Sequence, residues 1–244
     1  GDIGGIVTST VRRAAAFALV GSLSLVAPVF TAVDDPAYAT VAAAGPFLVV
    51  AAFALTVSAD SVAFELFARP GDRRDGKLYG LAGFALAAAG LAILTVEFGM
   101  ADHVYVATVL LVAVGNLGSQ LTQLWTTERV LSTAGFVTGG FLGAAAGQLA
   151  VVQTTAATAE VAVVAFLAAS GALLAALLRA VLFQRDDPLV MAVVGMLLWL
   201  FSSFPVEIST PRIAIALGVT VVLGYASYAL ETASLPGMLT GVLL

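Results

Sequence analysis

The 244-residue chain has no cysteine, so it offers neither a disulfide framework nor a thiolate metal site, and it carries no redox clue to its compartment. Charge is scarce as well. Only 10% of residues are charged against 61% hydrophobic, a composition far from that of a soluble globular domain. Lys77 is the one lysine and His103 the one histidine. His103 stands beside Asp102 with no Ser, Cys or second His arranged as a catalytic triad requires, and it reads as interfacial. Walker-type phosphate loops, dinucleotide fingerprints and zinc-ligand spacings are all missing. The few basic residues sit at the margins of apolar runs, which argues against nucleic acid as a partner.

What the chain does have is apolar runs near membrane-spanning length, recurring from end to end. In lipid the backbone polar groups of such runs are satisfied only by helix or closed barrel, and there is no period-two alternation to support a barrel. The expected fold is therefore all-α, a polytopic transmembrane bundle of about eight spanning helices. They are placed at Ala14–Val33, Val41–Val57, Leu78–Val96, Val104–Leu121, Val130–Val152, Val161–Phe183, Leu189–Phe204 and Ile213–Leu230.

Charge placement supports the count. With the N-terminus in the cytoplasm, the inner segments hold Arg12, Arg13, Arg69, Arg73, Arg74, Lys77, Arg129, Arg179 and Arg185, nine of the ten basic residues. Arg212 alone falls outside, and the outer segments carry Asp34, Asp35, Glu97, Asp102, Glu160 and Glu207. Arg12-Arg13, the following apolar run and Ala37-Tyr38-Ala39 also resemble a secretory signal with its cleavage site. That run is longer than a usual signal core, and its removal spoils the alternation of charge, so it is kept as the first helix.

The bias towards Ala, Val and Gly is typical of GC-rich genomes, and with 15 acids against 10 bases it points to a halophilic archaeon or another GC-rich prokaryote. The tail from Leu235 to Leu244 opens a new apolar run too short to span, so further helices are expected beyond it. On this reading residues 1–230 form one transmembrane domain and 231–244 begin a truncated following region.

Four features bear chemistry. The stretch Ala59 to Gly80 is the most charged in the chain, and its Arg69, Arg73, Arg74 and Lys77, with Gly71 and Gly76, suit a phosphate or nucleotide beside the bilayer. Basic cytoplasmic loops also orient polytopic proteins and attract anionic headgroups with no catalysis at all, although this leaves Glu65, Asp72 and Asp75 unexplained. Asp186 and Asp187 are adjacent carboxylates fit to hold magnesium together with phosphate oxygens, or simply a solvated turn before Pro188 at a helix start. Asn116 and Gln120, four apart inside the fourth span with Ser119 and Gln123 nearby, face the bundle interior or tie a neighbouring helix. Gly135, Gly139, Gly143 and Gly147 form a ridge against which a helix backbone or a lipid chain can lie. A solute transporter would call for charges at mid-membrane depth, and none is placed there.

The order of these features resembles the membrane polyprenol (dolichol and phytol) kinases, relatives of the phosphatidate cytidylyltransferases. Arg12-Arg13 stands where that family has a basic pair, and Gly76-Lys77-Leu78-Tyr79 where its charged loop enters a helix. Gly115-Asn116 takes the place of a Gly-Asp motif, Ser132 to Phe136 that of a Gly-Ser-x-x-Gly-Phe stretch, and Asp186-Asp187-Pro188 that of an Asp-Asp-Asn turn. Tyr225 to Leu244 is similar to the start of the archaeal and plant phytyl-phosphate kinase membrane family. The resemblance spans roughly Val11 to Leu200. It implies a cell-membrane protein of isoprenoid lipid phosphate metabolism, a kinase of prenyl alcohol or prenyl phosphate that uses CTP and Mg2+. Arg12, Arg13, Arg69, Arg73, Arg74, Lys77 and Asn116 would then meet phosphate or nucleotide, and Asp186 and Asp187 the metal, with no residue singled out as catalytic. Asn116 replaces the family's metal-ligating Asp, the family's His after the basic pair and its Lys after the Gly-Asp helix are missing, and Pro188 replaces Asn. These departures describe a degenerate site. The alternative is a non-catalytic scaffold or lipid-binding half of a larger protein, with membrane lipids as partners.

Overall fold

The computed structural model describes residues 3–31, 35–68, 70–126, 128–155, 161–181 and 187–203, with the single position 218. Among the described residues all regular structure is helical and no strand occurs. The helices are α1 (Ile3–Ser22), α2 (Ala27–Thr31), α3 (Pro36–Thr56), α4 (Val62–Phe67), α5 (Pro70–Asp75), α6 (Tyr79–Phe98), α7 (Asp102–Gln123), α8 (Arg129–Thr155), α9 (Val161–Val181) and α10 (Asp187–Ser203). Among the described residues six stretches are long and apolar enough to cross a membrane: Val11–Phe30, Pro36–Thr56, Tyr79–Phe98, Asp102–Gln123, Arg129–Val151 and Val163–Ala180. Pro188–Ser203 is apolar but shorter, and the expected span Ile213–Leu230 lies outside the described residues apart from position 218. The protein is a polytopic membrane bundle.

Two expectations change. The first span begins earlier than Ala14 and is not continuous, because a 3-10 turn at Leu23–Val26 separates α1 from α2. Pro28 has no N–H to give the Ser24 carbonyl, which accepts instead from Ala27. The Ser22 and Ser24 hydroxyls donate back to Leu19 and Gly21 carbonyls at 2.6 and 2.8 Å, loosening the same turn. The charged connection after α3 likewise contains structure, the short helices α4 and α5.

Helix ends follow local chemistry. Asp35 caps α3 by accepting from the Ala37 and Tyr38 amides at 3.0 and 3.3 Å, with Pro36 in the first position. Gly99 closes α6 in the left-handed conformation at φ 74°, and the Met100 amide returns to the Leu94 carbonyl.

At the centre stands α7. Every residue from Val104 to Ala113 is buried, and α1, α6, α8, α9 and α10 all pack on it. Glycines set how closely they approach. A Cβ on Gly139 would lie 2.5 Å from the Val114 carbonyl oxygen, one on Gly143 2.7 Å from that of Leu110, and one on Gly118 would run into the Gly135 carbonyl. The ridge of α8 is thus filled by the backbone of α7, as close helix crossings in membranes require. Gly21 meets Ala113, Gly171 meets Leu111 and Leu198, and Gly195 meets Leu91 in the same manner.

These contacts fix direction. Gly118 opposes Gly135 while Gly147 opposes Val106, so α7 and α8 are antiparallel. Gln148 reaches Val164 at one end of the α8/α9 pair, and Phe136 meets Arg179 at the other. α3 and α6 join at Thr40–Glu97 and, at their far ends, at Ala54–Leu78. Pro188 rests on Gly83 and Gly195 on Leu91, which makes α10 parallel to α6. One end of the bundle therefore gathers Arg12, Arg13, the 58–79 connection, Arg129, Arg179 and Asp187, and is called here the basic end. The other end holds Asp35, Glu97 and Asp102. Between them Leu19, Val41, Val49, Leu86, Leu142 and Met196 are exposed, as lipid-facing side chains should be. Trp125 and Tyr79 at the basic end and Tyr38 at the other suit the two interfaces.

Candidate phosphate-facing end

The 58–79 connection is a folded elbow. Ser61 caps α4 by accepting from the Phe64 amide at 3.0 Å, and Phe64 is buried. Phe67 meets Phe17 of α1 edge-on, with ring centroids 5.6 Å apart, and Phe17 in turn meets Phe84 of α6 at 6.2 Å. Gly76, at φ 64°, ends α5, and the Leu78 amide donates to the Ala54 carbonyl across α3 at 3.2 Å.

Asp72 explains part of the charge pattern that topology left unexplained. Its side chain is buried, 5% exposed, and accepts from the Gly80 amide at 3.2 Å. Gly80 lies in the first turn of α6, where backbone N–H groups have no helical partner and the helix dipole favours a negative charge. The carboxylate thus caps α6 from α5 and folds the elbow onto the bundle. Arg73, Arg74 and Asp75 remain exposed, and Lys77 is half-buried. Arg69 lies outside the described residues.

On α1, Arg12 is exposed and Arg13 half-buried. Arg13 precedes Phe17 by one turn, so it shares the face that meets α4 and α6. The Nε of Arg13 is shielded from solvent and makes no hydrogen bond.

Asn116 is buried in α7, 6% exposed. A tie between α7 and α8 is made by residues one turn further on. Ser119 Oγ and Ser132 Oγ lie 2.8 Å apart across α7 and α8, and Gln123 Nε2 donates to Ser132 Oγ at 2.8 Å. Gln120 Oε1 is shielded from solvent with no hydrogen-bond partner. One turn deeper, the Phe136 ring is seated on Gly115, where a Cβ would approach ring carbon Cε2 to 2.8 Å. The guanidinium carbon of Arg179, from α9, stands 4.3 Å from the centre of that ring. Arg179 therefore belongs to the packed end of α9, half-buried, and is more than a flanking topological charge. Sequence reasoning missed this, because counting basic residues says nothing about the face on which each one lies. A signal was present: Arg179 interrupts an apolar run that continues through Val181.

Asp187 opens α10, whose Pro188 sits against Gly83 of α6, and so stands at the basic end; Asp186 lies outside the described residues. Among the described residues no group of three or more His, Cys, Asp or Glu is close enough to hold a metal ion. Asn116, at the position that the resemblance gives a metal ligand, is a neutral amide and lacks the anionic oxygen magnesium prefers. Of the expected phosphate-facing residues, the structure brings Arg12, Arg13, Arg73, Arg74, Lys77 and Asn116 to one end of the bundle, on four different segments. Neither a protein-family model, nor a curated protein, nor a solved structure matches the chain.

Proposed function

We propose that the protein acts in isoprenoid lipid phosphate metabolism as a cell-membrane protein that binds a prenyl phosphate at its basic end, with that end in the cytoplasm. The observation that carries this reading is the elbow. Asp72 is consumed internally by the Gly80 amide, so Arg73 and Arg74 are held exposed on an ordered surface beside lipid-facing helices. Arg12, Arg13 and Lys77 add positive charge at the same end, and a chain held beside the apolar bundle keeps the prenyl tail in the membrane. The activity so described is binding, as expected of a lipid-binding half of a larger protein. The test is binding of a prenyl monophosphate to the protein in neutral nanodiscs at low salt. Arg73→Gln/Arg74→Gln is expected to weaken it by about tenfold, in line with the loss of two phosphate contacts; unchanged affinity sinks the reading.

A second reading, CTP-dependent phosphoryl transfer to a prenyl alcohol or prenyl phosphate, is favoured by one observation. Asp187 opens α10 at the same end of the bundle as the exposed Arg73 and Arg74, so a carboxylate and a basic surface share that end. Transfer of the CTP γ-phosphoryl group to either lipid by the protein in nanodiscs decides for this reading, and no transfer leaves binding alone.

A further inference from the structure

We draw no further inference here: the strongest candidate, the fully buried hydroxyl of Tyr105 in the core around α7, which makes no hydrogen bond, is joined to no second polar group and no cavity among the described residues, so nothing in the structure shows what it would meet.

Discussion

Gly118 shows what a single hydrogen in place of a side chain does here. Its Cα is close enough to α8 that an added Cβ would meet the Gly135 carbonyl and lie 3.2 Å from the Gly139 Cα, both backbone atoms that cannot rotate away. Gly45 is the internal control, because nothing lies within 4 Å of a Cβ built there. Gly118→Ala is expected to force α7 and α8 apart and destabilise the bundle by about 1–3 kcal/mol, the usual cost of overpacking. Gly45→Ala should be neutral or slightly stabilising, because alanine is the better helix former. Thermal unfolding in detergent reads both, and equal melting of Gly118→Ala and the parent would show that the two backbones are not in contact. Asp72 makes the complementary point. Its charge has no explanation in the sequence, yet in the fold it is spent on the Gly80 amide, and Arg73 and Arg74 beside it stay exposed.

Among the elements, α7 is the one the others are arranged around, and the sequence does not single it out. Each span is recognisable as an apolar run of the right length, which is why the helices Pro36–Thr56, Tyr79–Phe98, Asp102–Gln123, Arg129–Thr155 and Val161–Val181 fall close to their expected places. Lipid and protein neighbours are equally apolar, so hydrophobicity cannot say which helix is central. The distinction is one of side-chain removal: Leu111 of α7 is fully buried and touches the Gly140 and Gly171 sites, while Leu86 of α6 is 51% exposed. Leu111→Ala is expected to cost about 2–5 kcal/mol through the cavity it leaves, and Leu86→Ala far less. Denaturation by graded detergent mixtures checks the ranking, and equal losses would refute the central placement. Local signals fared less well. The Ser22–Val26 break depends on Pro28 and on serine back-bonding hidden inside an apolar run, and the elbow folds because Ser61 caps α4 and Asp72 of α5 caps α6, contacts that a charge count does not register. The Arg179–Phe136 stack was illegible for another reason, since it joins positions 43 residues apart whose meeting depends on how α8 and α9 are rotated.

At the scale of the whole molecule, the alternation of helix direction sorts the charges. Antiparallel α3/α6, α7/α8 and α8/α9 pairs, with α10 parallel to α6, put Arg73, Arg74, Arg129 and Arg179 at one end and Asp35, Glu97 and Asp102 at the other. Basic residues in short connections are retained in the cytoplasm during insertion, so the end with the elbow should face inward. A protein without cysteine makes this directly measurable, because each introduced thiol is the only one present. Arg74→Cys places a thiol on the exposed surface of the elbow, and Tyr38→Cys places one at the opposite end, where the native side chain is 55% exposed. In intact cells a membrane-impermeant maleimide should label Tyr38→Cys and not Arg74→Cys; in inside-out vesicles the pattern should reverse. Labelling of both from one side would break the alternation of helices, whereas an exchanged pattern would keep the bundle and turn it over. The second result would place the arginine rim of the elbow outside, beyond the reach of any cytoplasmic nucleotide, and would leave lipid phosphate binding as the one reading compatible with the molecule.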